Sequence, residues 1–109
     1  MPSDDPGRSP GDRALAALDR ALAGKPNKDS HDFSAAAMGL AQLRDQIVAK
    51  LRAKAANGTI PTPAERERLA RLNAVLSVVL GGHFPLGSIP WQELERARGW
   101  LRDILTEID

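Results

Sequence analysis

The chain has 109 residues, a formal net charge of +1 and no cysteine; 42% of its residues are hydrophobic and 27% are charged. These values are typical of one small globular domain. The nearly balanced charge gives no general preference for nucleic acid or an acidic membrane. The lack of cysteine excludes disulfides, thiol catalysis and cysteine metal sites.

We expect no signal peptide, because the first ten residues have neither a basic nor an apolar region, and no apolar run approaches the roughly 20 residues that span a membrane. We therefore expect a cytoplasmic protein that does not associate with membranes. Its richness in Ala, Arg and Leu is typical of GC-rich bacterial genomes.

The amino-terminal segment 1–9 holds little that can be buried, and we predict a disordered tail followed by a single helical domain over 10–109. Ser9 and Pro10 are typical of a helix start, and the first predicted helix runs to about Ala23. Gly24 and Pro26 end it. Its apolar stripe comprises Leu15, Leu18 and Leu22, filled in by Ala14 and Ala21.

The second predicted helix is capped by Ser30 or Asp32 and runs to about Ala56, where Asn57-Gly58 supplies a left-handed end. A cluster of small residues around Gly39 would allow another helix to approach closely. The predicted buried face comprises Phe33, Ala36, Leu40, Leu43, Ile47 and Leu51.

The third predicted helix, Pro63–Leu80, opens with a capping box formed by Thr62 and Glu65. We expect it to stop at Gly81-Gly82. Its stripe is Leu69, Leu72, Leu76 and Val79, and its last turns are apolar on nearly every side.

The fourth predicted helix starts at Ser88 or Ile89. Its apolar positions recur every three or four residues, a spacing suited to bundle packing. They are Trp91, Leu94, Ala97, Leu101, Ile104 and Ile108.

Together these patterns predict an all-α fold, a small antiparallel helical bundle of three main helices plus a short N-terminal helix. The three longer helices should form the core. The first helix either packs as a fourth member or lies loosely across one end.

The residues do not predict an enzyme, a metal site or a cofactor. His31 lies near a helix start with no further ligands at a suitable spacing, and His83 is expected to bond a carbonyl at the end of the third helix. The serines fit no nucleophile motif, and no glycine-rich loop suits a phosphate. Carboxylates alternate with arginines, as on a solvated helix face.

The segment Thr62-Pro63-x-Glu65-Arg66-Glu67-x-Leu69 resembles the opening helix of response-regulator-type helix-turn-helix domains. That family continues with a short turn and a second helix leading to a recognition helix. This chain instead stays apolar to Leu80 and continues with Gly-Gly-His-Phe-Pro, so we carry no DNA-binding role across.

We predict a non-catalytic protein–protein interaction module, such as a small adaptor, regulatory or accessory protein, that binds another protein or itself. The last two helices hold more large apolar groups than three helices readily enclose, and tryptophans are common interface anchors. The predicted binding residues are Val75, Val78, Phe84, Leu86, Trp91, Trp100 and Leu105. The competing expectation is that the first helix covers this surface and closes the molecule.

The alternative function is that of a nucleic-acid-associated helical module. The end of the second helix and the start of the third meet if the two are antiparallel, and their basic residues would contact phosphates. These residues are Lys50, Arg52, Lys54, Arg66, Arg68 and Arg71. A secretion or flagellar chaperone is a further possibility, by analogy of architecture alone.

Overall fold

The computed structural model describes residues 9–107 as four helices: α1 (Pro10–Ala23), α2 (Ser30–Ala56), α3 (Pro63–His83) and α4 (Trp91–Glu107). The all-α prediction is confirmed, since no strand occurs within that range. Residues 1–8 of the predicted tail, and Ile108 of the predicted fourth stripe, lie outside the described residues. None of the four helices combines the length and hydropathy that crossing a membrane requires.

The helices form an up-and-down antiparallel bundle. Each packs on its neighbours in sequence, and α1 also packs on α4. Ion pairs mark the directions: Arg20 near the end of α1 meets Asp32 near the start of α2 at 3.0 Å, and Lys54 of α2 meets Glu65 of α3 at 2.7 Å. Short connections favour this antiparallel order.

The first helix packs as a fourth member of the bundle and does not lie loosely across one end. Its most extensive packing is against α2, and α2 and α4 make no close backbone approach to each other. The expected core of three helices is therefore incorrect in detail, because the core needs all four. The buried residues of α1 are Gly11, Ala14, Ala17, Leu18, Ala21 and Leu22.

Gly39 on α2 confirms the predicted close approach of another helix, which is α1. A Cβ atom at this position would lie 2.8 Å from the carbonyl oxygen of Pro10 and 2.9 Å from the Cβ of Ala14. Only glycine leaves room for the two backbones at this distance.

Two predicted helix starts need correction. The cap of α2 is Asp29, whose carboxylate accepts hydrogen bonds from the backbone amides of His31 and Asp32. The fourth helix begins at Trp91, after Pro90. By contrast, the capping box at the start of α3 is present as predicted, and Gly58 has the expected left-handed conformation with φ 84°.

The third helix does not stop at Gly81-Gly82 as predicted, but continues to His83. Glycine lowers helix propensity by only about 1 kcal/mol, which packing can offset. A Cβ at Gly82 would lie 2.6 Å from Phe33 and 3.2 Å from Leu94. Gly82 of α3 therefore packs closely against one side chain of α2 and one of α4, and this packing keeps it in the helix.

Candidate interaction surfaces

The residues predicted to bind a partner fall into three environments. Val75 is fully buried, so it cannot belong to an exposed patch in this structure, which corrects its place in the prediction. Val78, Trp91 and Leu105 are half-buried and packed against the core. Only Phe84, Leu86 and Trp100 are exposed.

Two of the exposed residues lie in the turn between α3 and α4. Phe84 is 69% exposed and Leu86 is fully exposed. Leu80, one turn before Phe84, is also 40% exposed, although the sequence analysis did not single it out as a site residue. We call Leu80, Phe84 and Leu86 the α3–α4 corner. Trp100, in the middle of α4, lies outside this group.

An aromatic cluster supports the corner from below. The ring centroid of buried Phe33 lies 6.4 Å from that of His83 and 6.1 Å from that of Trp91. His83 in turn lies 4.3 Å from Phe84. The corner therefore rests on packed rings whose positions the core determines.

The predicted hydrogen bond from the His83 side chain to a helix-terminal carbonyl is not present. Among the described residues, the buried Nδ1 of His83 has no hydrogen-bond partner. Lys28 takes the capping role instead, because its Nζ donates to the carbonyl oxygen of His83 and lies 5.8 Å from the centre of the Phe33 ring.

Leu105 faces α1. A Cβ on Gly11 would lie 2.4 Å from the Cδ2 atom of Leu105. In this case the first helix covers part of the surface that the sequence analysis assigned to a partner.

The ends of α2 and α3 meet as predicted, but carboxylates neutralise much of the basic cluster. Lys54 bonds Glu65 at 2.7 Å. Glu107 of α4 meets Arg71 at 2.6 Å and Arg68 at 3.6 Å. The sequence does not predict the role of Glu107, since nothing local to α4 shows that its end lies beside the start of α3.

A recess of about 380 Å³ lies at the end of the bundle where α2 ends and α3 begins, next to the start of α1. Its floor is apolar, and charged side chains surround it. The floor residues are Leu43, Ile47 and Leu51 of α2 with Leu105 of α4. We call this the α2 recess; it could not be recognised from any one helix, since it results from the unequal lengths of α1 and α2.

Glu65, which lines the recess, has a strongly lowered pKa. The hydrogen bond from Lys54, followed by that from the backbone amide of Thr62, lowers the pKa of Glu65 from 4.5 to about 2. A carboxylate held in its charged form by two donors stabilises structure and is a poor proton donor near neutral pH.

The described residues contain no grouping of three or more His, Asp or Glu side chains able to hold a metal ion. Compared with known proteins, the chain matches no family model, no curated protein and no solved structure. The class that the fold defines is a small up-and-down four-helix bundle.

Proposed function

We propose that this protein is a non-catalytic interaction module, an adaptor or regulatory component, that binds another protein through the α3–α4 corner. The observation that carries the proposal is the exposure of Phe84, at 69%, and of Leu86 beside it. Large apolar side chains grouped in a turn on a supported base are typical of interface anchors.

The occupant we infer is an apolar surface of a different protein. Within residues 9–107, the contacts that hold the corner are ring contacts and a hydrogen bond from the cation Lys28, and no carboxylate takes part in them. Affinity would therefore come from burying Phe84 and Leu86, at about 1.5–3 kcal/mol for each fully buried side chain.

The nucleic-acid alternative has weaker support. Of its six basic residues, Lys54, Arg68 and Arg71 lie in ion pairs with Glu65 and Glu107. Phosphate binding would have to compete with these carboxylates.

A double variant at the corner tests the proposal. We expect Phe84→Ser/Leu86→Ser to fold like the wild-type chain, because exposed positions contribute about 0.5 kcal/mol or less to stability. A tagged wild-type chain should retain a partner protein from native lysate after nuclease treatment, and the double variant should lose it.

Ile60→Ser is the matched control, because Ile60 is 80% exposed and lies at the other end of the bundle, in the α2–α3 turn. It should keep the partner. Equal capture by the double variant would disprove binding at the corner, and loss of the captured protein on nuclease treatment would favour the nucleic-acid alternative. Sedimentation of the purified chain separates binding of a different protein from self-association.

A further inference from the structure

The α2 recess exists because α1 is much shorter than α2. The 14 residues of α1 span about 21 Å and the 27 residues of α2 span about 40 Å. The start of α1 packs against Gly39, and a Cβ on Gly11 would lie 3.3 Å from Leu43. Beyond Leu43, roughly 20 Å of α2 has no α1 beside it.

In an up-and-down bundle, the space next to α2 and α4 belongs to a fourth helix. Below α1 that space is the recess, and the apolar residues at its floor lack the cover that α1 gives elsewhere. Ile47 and Leu51 are only half-buried there, whereas Leu40, higher on α2, is fully buried. Within residues 9–107, the stretch of α2 that α1 does not cover has an apolar lining and a length of nearly four helical turns.

The charged side chains around the recess differ in whether they have hydrogen-bond or ion-pair partners. Glu65 is bonded to Lys54 and Glu107 is bonded to Arg71. Among the described residues Lys50 has no ion pair, and the buried Nε of Arg68 has no hydrogen bond, lying 3.6 Å from Glu107. Asp12, also at the rim, lies in the first turn of α1, where the helix dipole favours a carboxylate. Among the described cations of the recess, Lys50 is therefore unpaired and Arg68 is only partly satisfied by Glu107, whereas the carboxylates of Glu65 and Glu107 are already compensated.

We propose that the α2 recess binds an amphipathic helix of a partner protein, which continues the line of α1 along α2. Its apolar stripe packs on Ile47, Leu51 and Leu105, and its flanking carboxylates meet Lys50 and Arg68. Helix-in-groove binding of this kind uses anchors at positions i, i+3 or i+4, and i+7. The inference does not depend on the α3–α4 corner, which lies at the opposite end of the bundle.

A synthetic peptide tests the proposal. The probe is a labelled 14-residue alanine-based helix with leucines at helical spacing and glutamates flanking them; its counterpart has lysines in place of the glutamates. By fluorescence anisotropy, we expect the full-length chain to bind the acidic peptide at least fivefold more tightly than the basic one.

Two variants on α2 address the two parts of the site. We expect Lys50→Glu to weaken binding of the acidic peptide at least fivefold, and Leu51→Asp to weaken it at least tenfold. Arg52→Glu is the matched control: Arg52 has the same charge as Lys50 and directly follows Leu51, but it is exposed and does not line the recess. It should bind like the wild-type chain.

Lys50 is exposed, so its variant remains informative even if Leu51→Asp unfolds. Equal affinity of Lys50→Glu and Arg52→Glu, or no binding of the acidic peptide by the wild-type chain, would overturn the proposal.

Peptide binding that appears only when residues 1–8 are deleted would also overturn it, by identifying that segment as the occupant. Self-association lost in Lys50→Glu but not in Arg52→Glu would replace the partner helix with a second copy. Unchanged peptide binding by the Phe84→Ser/Leu86→Ser variant would keep this site separate from the corner.

Discussion

Glu65 holds the start of α3 in place through both ends of its capping box. Its Oε1 accepts a hydrogen bond from the amide of Thr62 at 3.0 Å, and its own amide donates to the hydroxyl of Thr62 at 3.1 Å. Its other carboxylate oxygen accepts from Lys54 of α2. One side chain therefore caps α3 and joins it to α2.

The lowered pKa of Glu65 predicts how stability depends on pH. Because the folded-state pKa is about 2 against an ordinary value of 4.5, the contribution is complete above about pH 4.5 and is lost as the pH falls towards 2. We expect Glu65→Gln to be less stable than the wild-type chain at pH 7, with the difference disappearing over that range. Thermal unfolding monitored by circular dichroism from pH 7 to pH 2 measures it.

Glu67→Gln is the control for this experiment. Glu67 lies two residues further along α3, is exposed, and has no hydrogen bond or ion pair within the described part of the chain. Its removal should leave the pH dependence of stability unchanged. A Glu65→Gln variant whose stability follows the wild-type curve at every pH would refute the assignment.

Residue-scale reasoning from sequence found the capping box but missed the buried ion pair. Asp32 is predicted as a possible cap, yet its carboxylate lies 3.0 Å from Arg20 and is nearly buried. The cap depends on neighbours three residues apart in sequence, whereas the ion pair depends on how α1 lies on α2. Only the first is readable from a local pattern.

Two glycines within the helices show that packing between helices determines how a substitution changes stability. Gly39 of α2 faces the backbone of α1, whereas a Cβ at Gly99 of α4 would meet no atom within 4 Å. The same substitution should therefore have opposite effects at the two positions.

We expect Gly39→Ala to destabilise the protein by about 1–3 kcal/mol, because the added Cβ would push α1 away from α2. Gly99→Ala should stabilise it by about 0.5–1 kcal/mol, the gain in helix propensity. Urea unfolding of both variants and the wild-type chain gives the two values. If Gly39→Ala instead stabilised the protein as Gly99→Ala does, α1 would not pack as closely on α2 as described.

The end of α3 illustrates the limit of element-scale prediction. Gly81-Gly82 is typical of a helix end, but α3 continues through both residues because Gly82 fits between Phe33 and Leu94. The predicted starts and stops that hold, such as Thr62 and Gly58, are those that no neighbouring helix overrides.

At the scale of the whole molecule, the position of α1 decides how much apolar surface remains. Leu18 is fully buried, as is Leu101 of α4. Ion pairs also connect this part of the chain to α4: Asp19 of α1 pairs with Arg98, and Lys25 in the turn after α1 pairs with Glu95. The first helix is therefore part of the cooperative unit.

We predict that Leu18→Ala costs about 3 kcal/mol of unfolding free energy, comparable to Leu101→Ala in the middle of the core. Both should unfold in a single transition under urea. If Leu18→Ala costs less than about 1 kcal/mol while Leu101→Ala costs the full amount, α1 is only loosely docked. In that case the surface under it would be available to a partner.

The sequence by itself determined the all-α class, the number of helices and most of their boundaries. Caps, glycine ends and apolar stripes act within a few residues of the chain, so the pattern carries them. It also predicted that some apolar surface would be left over, and Phe84 and Leu86 are exposed in the structure.

Only the tertiary structure decided which apolar residues remain exposed. Val75 is buried in the core, Leu105 is half-covered because it packs beside Gly11 of α1, and the α2 recess is open because α1 ends early. These outcomes depend on the lateral order and relative lengths of separate helices. No periodicity within one helix contains that information, since burial is a property of the faces that meet.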